Sequence, residues 1–200
     1  MCIVCDTDSH SDLINISFLD CSECDRIMDL PENLPRLEIL SIHNTNISSI
    51  PTYPSLMSLY CYNTPVSNIP AMPQLKKIIA HDTNISFIPD TLIHLETLNI
   101  NDTNVCSIPP SLISLTKLSA KRTGITSISP KLISLEWLNI KDTRVSDLPD
   151  TMPSLQYLNC SSTQVNNINI TGYKMLTTLY CQGCPIDVFS FDGHGITMIN

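Results

Sequence analysis

The chain has 200 residues and a formal net charge of −8, with Asp, Glu, Lys and Arg at only 15% of positions. That balance argues against general nucleic-acid or membrane-surface binding, because a polyanion needs a basic footprint to displace its counterions. No apolar run approaches the length of a bilayer span. Met1-Cys2-Ile3-Val4-Cys5-Asp6 lacks the basic start and apolar stretch of a secretory signal, so a cytoplasmic location is expected.

Residues 1–15 read as an N-terminal cap. Cys2-Ile3-Val4-Cys5 is apolar enough to cover the first repeat, and no helical cap is evident. From Ile16 a spaced apolar pattern begins and recurs to the end of the chain. Leu37, Leu56, Leu75, Leu95, Leu115, Leu135, Leu155 and Leu176 each reopen it, at intervals of 19 to 21 residues. Such a period belongs to stacked repeats and is far too short for independent domains. Residues 16–200 are therefore expected to form one solenoid domain of nine units and a partial tenth.

Each unit is numbered from its first apolar residue. Positions 1, 4, 6, 9, 11 and 14 are apolar or small, and Pro often follows at 15, as in Leu37-x-x-Leu40-x-Ile42-x-x-Thr45-x-Ile47-x-x-Ile50-Pro51. Around positions 4 and 6 apolar and polar residues alternate, the period of a strand with one buried face. The strand centres run from Leu19-x-Cys21 through Leu40-Ser41-Ile42 to Leu179-Tyr180-Cys181. Every return path runs the same way, so the sheet is expected to be parallel. The return segments resist helix: Ile50-Pro51-Thr52-Tyr53-Pro54 and Ile69-Pro70-Ala71-Met72-Pro73 hold two prolines each. Extended or polyproline backbone is predicted there, with at most a 3₁₀ turn.

These residues carry a resemblance to the leucine-rich repeat superfamily. Leu30-Pro31-Glu32-Asn33-Leu34-Pro35-Arg36-Leu37-Glu38-Ile39-Leu40 looks most like its short, proline-rich class, known from bacterial effector proteins and giant DNA viruses. The resemblance implies a solenoid with a concave parallel sheet and a role in binding other proteins. Through the ubiquitin-ligase effectors of that class it also offers an alternative role as a substrate-recognition part. The family usually places Asn at position 9, bridging neighbouring turns. Here Cys24, Thr45, Thr64, Thr83, Thr103, Thr123, Thr143, Thr163 and Cys184 stand there. A hydroxyl donates once where an amide donates twice. Fewer side-chain bonds per rung are expected, with buried water available to complete them.

Ile196 and Ile199 fall at positions 1 and 4 of a tenth unit, which would put Asn200 in mid-strand. Self-association through that strand edge is expected, unless the segment 187–195 folds across it.

The nine cysteines include Cys2-x-x-Cys5 and Cys21-x-x-Cys24, at zinc-ribbon spacing. Positions 6 and 9 of the repeat account for Cys21 and Cys24 as small buried thiols, and Cys181 and Cys184 repeat the pairing with no second knuckle. No metal or other cofactor is assigned, and a zinc-stabilised or redox-sensing protein remains an alternative resting on Cys2 and Cys5. Five glycines leave no phosphate cradle, and no thiol, histidine and carboxylate are placed together by a strained turn, so no catalytic residue is expected.

The remaining candidate is the concave face, formed by positions 3, 5, 7 and 8. Its first half offers Phe18, Ile39, Tyr60, Ile79, His43, Tyr62 and His81. Its second half offers Lys117, Lys121, Arg122 and Lys141 with Trp137 and Tyr157, and Lys77 lies near the boundary. His43, Tyr62 and His81 share position 7 on neighbouring strands, too widely spaced for the histidines to share a metal. Trp137, Tyr157, Lys117, Lys121, Arg122, Lys141, Tyr60 and Tyr62 are the candidate partner-binding residues, centred on residues 117–161. Asp82, Asp102 and Asp142 at position 8 could instead neutralise the lysines, leaving an ordinary solvated face.

Overall fold

A computed structural model describes residues 3–6, 10–186 and 195–199. Ten three-residue strands form one parallel sheet in strict chain order. They are β1 Phe18–Asp20, β2 Ile39–Ser41, β3 Ser58–Tyr60, β4 Lys77–Ile79, β5 Thr97–Asn99, β6 Lys117–Ser119, β7 Trp137–Asn139, β8 Tyr157–Asn159, β9 Thr178–Tyr180 and β10 Thr197–Ile199. Position 4 pairs with position 4 from β1 to β9, as in Leu40↔Leu59 and Leu138↔Leu158. Because strand side chains alternate faces, this register stacks leucine or isoleucine at position 4 into one continuous core row.

The core is one cluster running through the stack. Leu37, Leu40, Ile42 and Ile47 are fully buried, and the same places are filled in each later unit. The convex segments carry single turns in which the position 1 N–H donates to the carbonyl three residues back, as in Leu75 N to Met72 O at 3.0 Å. The residue accepting in that turn points inward, and where it is tyrosine its hydroxyl finds a carbonyl. Tyr53 donates to Pro31 O at 2.8 Å and Tyr173 to Pro149 O at 2.7 Å. After β1, the helical segment on the convex side among the described residues is the 3₁₀ turn Ile170–Gly172. None of the described helices is long and apolar enough to cross a membrane.

Three details depart from the sequence reading. The cap contains a one-turn helix α1, Ile3–Asp6, and a 3₁₀ segment His10–Asn15, although no helical cap was expected. Both are too short to show a periodic apolar face; the cap seals the first repeat through buried Val4 and Leu13. The tenth strand is one residue out of the expected register, because Met198 rather than Ile199 pairs with Leu179. Ile196 and Met198 lie two apart on the face that packs against the core, whereas Ile199 is 40% exposed. All of the expected covering segment 187–195 except Gly195 falls outside the described residues, as does Asn200.

The third departure is the position 9 ladder. Each threonine there is buried and donates within its own unit to the position 6 carbonyl, at 2.5 to 2.8 Å. From the fourth unit to the eighth, backbone supplies the rung between units, with the position 10 N–H donating to the preceding position 11 carbonyl. Asn84 N to Val66 O and Asn104 N to Ile85 O are both 2.9 Å. Every buried side-chain N or O atom among the described residues has a protein partner, so water is not needed to complete the ladder.

Candidate functional site

The concave face is built by a turn repeated nine times. Position 8 has a left-handed backbone in every unit, from Glu23 through Asn44, Asp102 and Ser162 to Gly183, with φ between 52° and 75°. This residue bends the chain out of the strand, so position 7 remains on the face and position 9 turns inward. Asn and Asp tolerate this conformation and Gly adopts it freely. Their recurrence at position 8 was the available sequence signal for the turn, and sequence reasoning treated them only as surface polar groups.

Position 7 is stacked. The His43 and Tyr62 ring centroids are 4.3 Å apart with their planes nearly parallel at 6°; Tyr62 and His81 follow at 4.6 Å and 15°. The histidines are separated by the tyrosine, and His81 Nδ1 lies 2.7 Å from Asp82 Oδ2. Asn63 Nδ2 donates to Asn44 Oδ1 at 2.7 Å, extending the contact along the turn. On β3, Tyr60 lies beneath the Lys77 ammonium, 5.1 Å from the ring centre.

A second aromatic row crosses the other half. Trp137 stacks on Tyr157 at 5.0 Å and 10°, and Tyr157 meets Tyr180 at 5.5 Å in a tilted contact. Burial raises the Tyr157 phenol above its ordinary value. Tyr180, at position 5 beyond the 117–161 segment, was absent from the candidate set; its contact with Tyr157 on the neighbouring strand brings it into the row.

The structure separates the basic residues into two kinds. Arg122 Nε and Nη2 donate to Asp102 Oδ1 and Oδ2, the latter at 2.6 Å, and this hydrogen bonding holds the guanidinium still more firmly charged. Lys77, Lys117, Lys121 and Lys141 have no ion pair among the described residues. Neutralisation by the position 8 aspartates therefore applies to Arg122 and not to the lysines.

Between β4 and β7 lies a recess of about 520 Å³, lined by Ile79, Thr97, Leu98, Asn99, Asn101, Lys117, Ser119, Trp137 and Asn139. It brings Trp137 and Lys117 together and leaves Tyr60 and Tyr62 on a separate part of the face. Three amides in it are fixed by backbone donors. Asn99 Oδ1 accepts from Asn101 N at 3.2 Å, Asn139 Oδ1 from Lys141 N at 3.1 Å, and Asn101 Oδ1 from Lys121 N at 2.8 Å and Ser119 Oγ at 2.7 Å.

The eight described cysteines are thiols. Cys5 Sγ lies 3.6 Å from Cys24 Sγ, joining the cap to the first unit. Burial pushes the Cys61 thiol up to about 12 and raises Cys160 as well, which keeps both from serving as nucleophiles near neutral pH. Among the described residues no three His, Cys, Asp or Glu side chains are arranged to hold a metal ion; Cys2 lies outside them.

No protein-family model matches the sequence, and no curated protein matches it significantly. Solved structures do share its fold. An internalin (inlF) from Listeria monocytogenes superposes with a TM-score of 0.86 at 22% identity, covering 94% of this chain and 61% of the internalin. YopM from Yersinia enterocolitica gives 0.72 at 24% identity, with 80% and 36% covered. A plant peptide hormone receptor, RGFR1 in complex with RGF2, gives 0.66 at 20% identity, with 84% and 32% covered. The chain has the leucine-rich repeat fold and spans less than two thirds of each of these proteins.

Proposed function

We propose that this chain is a non-enzymatic binding module that holds an acidic segment of another protein against residues 117–161 of its concave face. The observation that carries the reading is the set of lysines on that face, Lys77, Lys117, Lys121 and Lys141, without ion pairs among the described residues of an acidic chain. Their charge is available to a partner and would favour acidic surfaces over others. The row Trp137–Tyr157–Tyr180 supplies the preorganised aromatic contact that dominates binding energy at interface centres. A plant receptor of the same fold is known in complex with RGF2, which makes capture of a short protein ligand a sound expectation here.

The test is affinity capture with wild type and Trp137→Ala side by side, after matching their unfolding curves. The variant should lose its partner, with affinity falling by about 30-fold or more, the loss expected of a central aromatic anchor. Identical captured partners at identical yield would refute the site assignment.

A further inference from the structure

We infer that the recess between β4 and β7 is a carboxylate-binding subsite, taking an Asp or Glu side chain of an acidic peptide beside the indole of Trp137. The inference rests on the concave-face reading and specifies which part of the face selects the partner.

Hydrogen-bond capacity sets the ligand class. An asparagine amide both accepts and donates, and its neighbours tell its two ends apart. Here the neighbours decide. Backbone N–H groups of Asn101, Lys141 and Lys121 occupy the carbonyl ends of Asn99, Asn139 and Asn101, so the three NH₂ ends are the ones left over. None of those NH₂ groups has a protein acceptor among the described residues, and the Lys117 ammonium on the same wall has no ion pair among them. The Ser119 hydroxyl has spent its proton on Asn101 Oδ1. No carboxylate lines the recess among the described residues. Its amide side chains and its lysine therefore present donors and one positive charge, which a carboxylate satisfies and a cation or a donor-rich group does not.

Shape narrows the class further. Trp137 lies on Tyr157 with one indole face, and its register partner on the opposite side is Lys117. The second face therefore turns toward β6 and walls the recess. A flat apolar surface beside a donor set fits a peptide in which an acidic residue is followed or preceded by an aromatic or aliphatic one. Arg122 is not part of the set, since Asp102 already holds it.

The sequence supplies its own control. At position 5 of the first unit stands Asp20, whose Oδ1 accepts from Ser22 N at 3.0 Å just as Asn139 does from Lys141. Aspartate thus supports the turn, so Asn99→Asp and Asn139→Asp keep the fold while replacing an NH₂ donor by an anionic oxygen. Asn44→Asp makes the same change outside both the recess and residues 117–161, at a position 8 turn that Asp82 and Asp102 already adopt, and it keeps the oxygen that accepts from Asn63 Nδ2 at 2.7 Å.

Because Trp137 is the sole tryptophan, its fluorescence reports on this wall. The experiment titrates a capped Glu-Phe-Glu peptide and its Gln-Phe-Gln counterpart into wild type and the three variants. The expected result is saturable fluorescence change with the Glu peptide at about millimolar affinity. Binding should be about tenfold weaker for the Gln peptide and about tenfold weaker in Asn99→Asp and Asn139→Asp, with Asn44→Asp near wild type. Equal binding of the two peptides, an equal loss in Asn44→Asp, or no saturation up to about 10 mM overturns the subsite. If Trp137→Ala loses the captured partner while Asn99→Asp and Asn139→Asp keep it, the concave-face reading stands and the subsite falls.

Discussion

The left-handed residue at position 8 sets the strain within each unit. A side chain there costs about 1–2 kcal/mol relative to the right-handed conformation, less for Asn and Asp, which bond locally. Ser162 carries that strain at φ 56°, whereas Gly183 meets the same demand without a Cβ. Ser162→Gly should therefore raise stability by about 0.5–1 kcal/mol, read as a higher denaturant midpoint at unchanged slope. A lower midpoint would mean that the turn is not strained.

The position 9 threonine works the other way. Thr103→Val keeps the shape but strands the Ile100 carbonyl, which now accepts the hydroxyl at 2.7 Å, and should cost about 1–2 kcal/mol. Position 9 was legible as a polar departure from the usual amide. Its hydrogen-bond partner was not legible, because nothing in spacing tells whether a hydroxyl bonds its own unit or the next.

Buried thiols add a pH dependence at this scale. Cys61 is raised to about 12 in the folded chain from an ordinary value of 9.0. A raised group contributes stability that is complete below its unfolded value and is lost as pH climbs toward the folded one. Stability should therefore fall between about pH 9 and 12, by about 1.4 kcal/mol per pH unit for each such group. Cys160, Tyr53 and Tyr173 are shifted in the same direction. Urea midpoints measured from neutral to alkaline pH would check this, with Cys61→Ala flattening the slope.

Among the elements, strands were easier to read than convex turns. Leucine or isoleucine at position 4 fixed the sheet register from β1 to β9 because a one-residue slip would expose the whole row. The same rule failed at β10, where Ile196, Met198 and Ile199 are all apolar and spacing alone could not choose among them. The convex side holds a tight constraint at Gly172. A Cβ there would overlap the Asp150 carbonyl oxygen, and Gly172 O accepts from Met152 N at 3.1 Å. Gly172→Ala should destabilise by about 1–3 kcal/mol, as overpacking does elsewhere. Thermal unfolding unchanged within error would show that the segment can shift without loss.

For the whole molecule, each unit is stabilised mainly by its neighbours, so the stack behaves as a chain of adjacent interfaces. That regularity made the architecture plain from the sequence and hid the recess within it. Lys117 and Trp137 could be placed on one face by their shared position 3. The locking of Asn99, Asn101 and Asn139 by backbone N–H groups could not, because it depends on rotamers that the repeat does not encode. Repeat spacing thus places the aromatic and basic residues on the concave side, while the donor-rich recess depends on side-chain contacts that spacing does not encode.

The most direct check is fluorine NMR of the protein carrying fluorotryptophan, which yields one resonance from position 137. Adding a captured partner should move or broaden that resonance in step with calorimetric saturation. A partner that binds to saturation while the resonance stays where it was would show that recognition happens elsewhere.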